Sequence, residues 1–411
     1  MKLVKLSLAA VVAAGSFSFA NAVALDEAIQ NVDLSGMLRY RYDTNSEKIK
    51  NNSVTTKIDR SEDNGHLYKV QLKFGADIAD NFKATALFQY SNTDGSFGDS
   101  AYLNDKKTFN VRDAYLTYTN YDTSFIFGRM EIGSIWTDDL LGTGLKIVNN
   151  SIENVTLAAY AFDNYNNDGD LSSVLFVTDE AGNKYATSKN LYGIAAIANF
   201  DPVAAQLWVS NMASWGTFYA VDFNVALGDK DDFAYNVHAQ YAGNSLKKDR
   251  KGEVAANGNF YAAEAGFDAF GLDFNVGYAG YGKKDKLTLN TVEDEGQLIN
   301  YGEIVMKDYQ GGFGKKDFVF GTIGYTFEDV RFGVDIISGT NKIVNNKEKL
   351  FEVKPQLSYK YSDKLNFSAF YAYAETKDAT EVSITKDNKL SLDKSDKKKE
   401  SLIRFQAKYT F

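Results

Sequence analysis

Apolar and polar side chains alternate with a period of two along most of the chain beyond residue 32. The clearest stretch is 401–411, where Ile403, Phe405, Ala407, Tyr409 and Phe411 share one face and Arg404, Gln406, Lys408 and Thr410 the other. Successive side chains of a strand point to opposite faces, so this segment has one apolar and one polar side. About ten such residues cross a bilayer at a tilt. Aromatic alternation ending on Phe411 also matches the assembly signal of bacterial outer-membrane barrels. The pattern recurs at 33–43, with Leu34, Gly36, Leu38, Tyr40 and Tyr42 against Ser35, Arg39, Arg41 and Asp43. It returns at 66–78, with Tyr68, Val70, Leu72 and Phe74 against Lys69, Gln71, Lys73 and Asp77, and on many later segments.

Short turns fall at 79–81, 119–123, 150–153, 200–202, 228–232, 269–271, 327–329 and 362–363. They alternate with longer polar loops at 44–65, 92–108, 130–143, 163–190, 244–258, 281–316, 339–349 and 375–400, and one brief connection at 212–216. The strands between them number 18, an even count that brings both ends of the barrel to one side. The prediction is an all-β fold: an 18-stranded antiparallel transmembrane β-barrel with short periplasmic turns and long extracellular loops. Only 109–118 is ambiguous in phase, because Arg112 and Asp113 fall on opposite faces; a bulge or a covered outer face would explain it. The Lys-rich run 392–399 reads as a solvated loop. A barrel of 16–18 strands is too wide for its own side chains to fill. Inward Arg, Lys, Gln, Asn, Asp and Ser therefore predict a water-filled pore.

Composition narrows this further. Two prolines in 411 residues suit a backbone that is nearly all ladder, since proline cannot donate to one. Aromatics make up 14%, ring area that suits a membrane–water boundary. With no Cys and only 2 His, thiolate catalysis, disulfides and Cys- or His-rich metal sites are excluded. No run of 18 apolar residues occurs, so a helical membrane protein is excluded. The formal charge of -9 argues against a nucleic-acid partner. Residues 1–22 read as a secretory signal peptide: Lys2 and Lys5, a short apolar run, then Ala20-Asn21-Ala22 as the cleavage site. Residues 23–411 are then expected to form a single transmembrane β-barrel domain in the bacterial outer membrane.

Blocks from end to end resemble the Campylobacter-type major outer membrane porins. They are MKLVKLSL at the start, VDLSG at 32–36, LRYRYDT at 38–44, IADNFKA at 78–84, LTYTN at 116–120, IWTD at 135–138, GTG at 142–144, VNNSI at 148–152, TLAA at 156–159, FYAVD at 218–222 and KLNFSAFY at 364–371. The resemblance implies a homotrimer of 18-stranded porin barrels, general diffusion of small hydrophilic solutes, a preference for cations and a calcium ion near the constriction. The segment after Asp138 is shorter here than in the family pattern.

The candidate site is the segment 129–146, which mixes apolar and acidic residues after the fifth strand. In porins the third outer loop folds inward. Trp136, Leu140 and Leu141 are expected to pack this loop on the wall and to leave Glu131, Asp138 and Asp139 near the constriction. Opposite are expected the inward cations Arg39, Arg41, Lys69, Lys73, Lys354 and Arg404, an arrangement that would set a transverse field and tune ion selectivity. The run 163–170 offers hard oxygen donors; with the resemblance it makes Asp139, Asp168 and Asp170 the calcium candidates. His238 is an inward polar residue beside Asn236 and Gln240, with no serine singled out to make a catalytic pair. The protein is therefore expected not to be an enzyme. A substrate-selective channel, with basic groups guiding an anion, is the first rival, and an outer-membrane barrel enzyme a remoter one. Expected partners are outer-membrane lipid, lipopolysaccharide and the barrel-assembly machinery.

Overall fold

The computed structural model describes residues 32–52, 54–58, 64–95, 108–166, 190–213, 215–229, 232–251, 255–384 and 390–411. The expected signal peptide at 1–22 and the acids Asp168 and Asp170 lie outside the described residues. The strands are β1 (Asp33–Asn51), β2 (Val54–Ile58), β3 (Gly65–Ala79), β4 (Phe82–Gly95), β5 (Asn110–Asn120), β6 (Thr123–Glu131), β7 (Leu141–Ile152), β8 (Val155–Asn166), β9 (Leu191–Phe200) and β10 (Val203–Met212). They continue as β11 (Gly216–Asp229), β12 (Phe233–Leu246), β13 (Asn259–Ala269), β14 (Leu272–Thr288), β15 (Gly312–Phe327), β16 (Val330–Ile343), β17 (Asn346–Lys360), β18 (Leu365–Ile384) and β19 (Leu390–Thr410). Every neighbouring pair is antiparallel, and β1 pairs with β19, so eighteen strands close into a barrel. The short β2 is an extra strand lying against the outer end of β1.

Closure leaves no unpaired edge, the condition for a sheet to stand in hydrocarbon. The seam is tied at its periplasmic end by Phe411, whose backbone exchanges hydrogen bonds of 3.0 and 3.2 Å with Gly36. A Cβ at Gly36 would sit 2.7 Å from the Phe411 ring, so the absence of a side chain there gives the terminal aromatic its seat. The outward face carries the alternate apolar residues the sequence predicts: Leu38, Phe74, Phe88, Val237, Ile336, Ile403 and Phe405 are half-buried to exposed on the bare barrel.

The short turns fall where expected. Four of the longer segments do not. The stretch 339–349 is a hairpin with only residues 344 and 345 outside strands. Most of 375–400 is ladder, and the Lys-rich run 392–399 lies in β19, paired with β18 and in part with β1, rather than in a solvated loop. Much of 44–65 is also strand. The 281–316 loop shrinks to 289–311. The cause is length: β18 has 20 residues and β19 has 21, about twice what a bilayer crossing needs. The excess continues the ladder outside the membrane, where both faces are polar and the period of two disappears from the sequence.

In β5 the register against β4 shifts between Leu87 and Phe88, because Arg112 is an extra residue in the ladder. A bulge re-aims side chains, and here Val111 stays outward while Arg112 and Asp113 are both buried within the structure. The ambiguous phase at 109–118 is that bulge.

Cysteine labelling checks the phase of these strands. Single cysteines at Arg39, Gln71 and Arg404 should react with a small water-soluble thiol reagent and alter conductance, while cysteines at Leu38, Leu72 and Phe405 in membranes should not. A one-residue slip would exchange the two sets.

Candidate functional site

Two outer loops fold into the barrel. The first, residues 132–140, joins β6 to β7. Its apolar members Ile132, Ile135, Trp136 and Leu140 are fully buried. Trp136 stands edge-on to Trp208 of β10 and Phe218 of β11, at centroid distances of 6.3 and 6.0 Å. Against Ala, a buried ring of this kind is worth roughly 3–5 kcal/mol. The inner wall beneath it is apolar too: Ile126, Val148, Tyr160, Phe162, Ile197, Trp208 and Phe218 form one cluster with the loop. This corrects the expectation of a polar inner face all round. Between β6 and β11 these inward residues form an apolar shelf for the loop, interrupted by Ser210, Lys146 and Asp222.

The second loop, residues 289–311, was expected to stand outside. Its side chains Leu289, Val292, Ile304, Val305, Met306 and Tyr309 are buried. Two carboxylates hold it. Glu352 of β17, fully buried, accepts the backbone N–H groups of Glu303, Ile304 and Val305 at 2.8, 3.0 and 2.9 Å. Glu293 of the loop accepts those of Asp138, Asp139 and Leu140 at 2.8, 3.0 and 2.7 Å. The wall thus holds the second loop, and the second loop holds the first. Further bonds run the same way: Gln297 Nε2 donates to the Thr137 carbonyl at 3.1 Å, and Gln240 of β12 accepts the Ile299 N–H at 2.7 Å. Burial pushes the Glu293 carboxyl up to about 7, against the pull of its backbone donors. Asp308 is shifted the other way: burial alone would raise it, but Lys316, 2.7 Å away, holds it below the usual carboxylate range.

The charged residues predicted for the site lie along the remaining inner wall. Arg39 and Arg41 are neighbours on the inward face of β1, beside Lys69 and Lys73 of β3 and Arg404 of β19. Arg404 makes a two-pronged ion pair with Asp43, at 2.7 and 2.9 Å, and lies 3.8 Å from Glu303. Lys354 sits between Asp335 at 3.1 Å and Glu303 at 3.2 Å. Glu131 reaches Arg112 at 2.7 Å. Asp138 is exposed on its loop. Asp139 lies 3.6 Å from Lys69 and 3.5 Å from Arg112. The acids expected across an opening from the basic wall therefore touch it in part: Asp139 and Glu303 are the points where the two loops meet the cations. Among the described residues, Arg39, Arg41 and Lys73 have no carboxylate within 4.0 Å; Arg41 instead donates to Gln406 at 2.9 Å.

Arg112, Glu293, Glu303 and Glu352 were not anticipated. The signal for the second loop was in the sequence: Leu298-Ile299, Ile304-Val305-Met306 and Tyr309 are too apolar for a solvated loop, as Trp136 was for the first. His238 is inward and buried, held by Asp222 at 3.0 Å and Glu264 at 3.2 Å. Of the calcium candidates only Asp139 is described. Its carboxylate lies beside Lys69 and Arg112, and no cluster of three or more His, Cys, Asp or Glu side chains among the described residues is arranged to hold a metal.

A family model described as Campylobacter major outer membrane protein matches residues 1–408. No curated protein matches the chain in sequence. Among solved structures, Pseudomonas aeruginosa OccD3 (OpdP) superposes with a TM-score of 0.66 at 10% identity, over 93% of this chain and 91% of that one. P. aeruginosa OpdK with vanillate gives 0.66 at 12% identity, over 93% and 99%. Acinetobacter baumannii OccAB3 gives 0.64 at 10% identity, over 92% and 100%. At such identities the likeness is one of fold.

Proposed function

The chain belongs to the Campylobacter major outer membrane protein family, an outer-membrane channel and not an enzyme, and on that premise we propose a general-diffusion porin for ions and small hydrophilic solutes. The observation that carries this is the pair of inward loops set against a charged wall. Among the described residues they narrow the lumen without enclosing a pocket for one ligand. A cavity of about 420 Å³ at the outer mouth, between the second loop and β15–β19, is lined by both signs, with Glu47 and Glu348 beside Lys316 and Lys398. Mixed lining suits hydrated solutes of no single type. The proposal includes a cation preference, drawn from Asp138 and Asp139 on the loop, a calcium ion at Asp139, Asp168 and Asp170, and assembly as a homotrimer.

A substrate-selective channel for carboxylates is the second reading. The row of Arg39, Arg41 and Lys73, three cations with no carboxylate within 4.0 Å among the described residues, favours it. Reversal potentials in a salt gradient separate the two. The wild type should prefer cations, and Asp138→Asn with Asp139→Asn should remove most of that preference, with barrel stability little changed. Low salt is required, because at about 1 M the Debye length is only about 3 Å. A wild type that already prefers anions would favour the second reading. Melting of the wild type in chelator tests the calcium ion: unchanged heat stability would remove it from the proposal. A detergent-solubilised mass of one chain would remove the homotrimer.

A further inference from the structure

Above the membrane the outward face of β1 and β17–β19 is a field of lysines. Register places Lys50, Lys397, Lys377 and Lys349 side by side on four successive strands, β1, β19, β18 and β17. One step nearer the membrane, Lys48 faces Lys399. Their outward direction follows from the alternation: the intervening Glu47, Glu348, Leu350 and Thr376 are buried on the lumen side. The row lies beyond the apolar belt on all four strands: two residues past Phe351 on β17, four past Tyr373 on β18, six past Ile403 on β19 and eight past Tyr42 on β1. Lys349 and Lys377, with Lys48 and Lys399 one step in, are thus the lysines nearest the apolar belt.

Like charges directly opposite across a ladder are destabilising, yet three consecutive cross-strand pairs in this row are Lys–Lys. One carboxylate, Glu375, serves Lys397 at 3.1 Å, Lys377 at 3.6 Å and Lys399 at 4.0 Å. Among the described residues, Lys48, Lys50 and Lys349 meet no carboxylate within 4.0 Å. Neighbouring strands are about 4.8 Å apart, so the ammonium groups crowd along a line of about 15 Å. An excess of positive charge at a membrane surface is complementary to anionic headgroups. Phosphate, with more charge and more acceptor oxygens than a carboxylate, can bridge the ammonium groups that Glu375 does not reach. A second copy of this chain pressed on the same face would instead oppose lysine to lysine.

We propose that this lysine row binds the phosphorylated headgroups of outer-leaflet glycolipid. The proposal rests on the outer-membrane placement of the barrel and not on the selectivity argued above. The test uses the full-length protein in phosphatidylcholine nanodiscs doped with bis-phosphorylated lipid A, or with lipid A stripped of its phosphates, and counts retained lipid by native mass spectrometry. The wild type should retain the phosphorylated form at least about tenfold better. The variant Lys50→Gln, Lys349→Gln, Lys377→Gln, Lys397→Gln should bring it to the level of the stripped form. Binding should also weaken as salt rises from about 0.1 to about 1 M. Should the fourfold variant fail to fold, Lys397→Gln alone should lower retention about threefold, while Lys283→Gln with Lys284→Gln on β14 should not. Equal retention by variant and wild type overturns the proposal. So does equal binding of both lipids, complete displacement by dilute inorganic phosphate at matched ionic strength, or efficient crosslinking between copies carrying Lys397→Cys.

Discussion

Glu352→Ala should raise single-channel conductance about twofold or more and make the open level noisy. Glu352 is a single side chain that takes three backbone N–H groups of the inner loop 289–311. Hydrogen bonds to a charged group contribute roughly 1.5–3 kcal/mol each, and buried donors left without a partner cost about 1–3 kcal/mol apiece. Alanine offers these three donors no acceptor, so the loop should undock on a timescale the current resolves. The first loop follows, because Glu293 carries its anchor. Glu293→Ala should therefore give a smaller rise, releasing residues 132–140 from one side while Trp136 still holds them to the wall. Glu352→Gln, which keeps one acceptor oxygen, should fall between Glu352→Ala and the wild type. Barrel melting should change little in all three, since the strands keep their ladders. Conductance and noise identical to wild type in Glu352→Ala would mean that the two loops do not set the cross-section.

Deleting Tyr409 to Phe411 should abolish most of the folded, heat-modifiable barrel, leaving about a tenth or less of the wild-type amount in the outer membrane. β19 joins β18 to β1 and so closes the barrel. The deletion removes the Leu38↔Tyr409 and Met37↔Thr410 pairings, the Leu365↔Tyr409 pairing and both bonds between Gly36 and Phe411. These lie at the periplasmic end, and unpaired backbone groups facing lipid cost several kcal/mol each. Phe411→Ala keeps the backbone bonds and loses only the ring over Gly36, so its defect should be milder. A truncated chain that reaches wild-type yield would show that closure does not depend on the last rung.

The strands that cross the membrane were legible because lipid on one side and water on the other impose a period of two on any sequence that stays there. Leu38 and Arg39, Leu72 and Lys73, Phe405 and Arg404 each announce their face without reference to anything distant. The first inner loop was legible for a related reason: Trp136, Leu140 and Leu141 have no place in solvent. The extensions beyond the membrane were not. Lys397 and Lys399 on the outer surface alternate with Lys398 and Glu400 inside, so no contrast marks the strand, and the ladder there is visible only from its pairing with Lys50, Lys48 and Lys377.

By itself, then, the amino-acid order determined the barrel, its strand number and which way its membrane residues face, because each depends on local alternation against two solvents. It also placed Arg39, Arg41, Lys69, Lys73 and Arg404 on one inner wall, since closure brings the first and last strands together. What only the tertiary structure decided is how those charges are used. Asp139 ends on the wall it was to oppose, the unanticipated Glu303 ends there too, Arg112 joins them through a bulge, and Glu352 and Glu293 fasten one loop to the next. These contacts join residues 27 to 155 positions apart. Their geometry follows from loop packing on a particular apolar shelf, and a carboxylate that will meet backbone amides carries no mark in the sequence to distinguish it from one that will meet water.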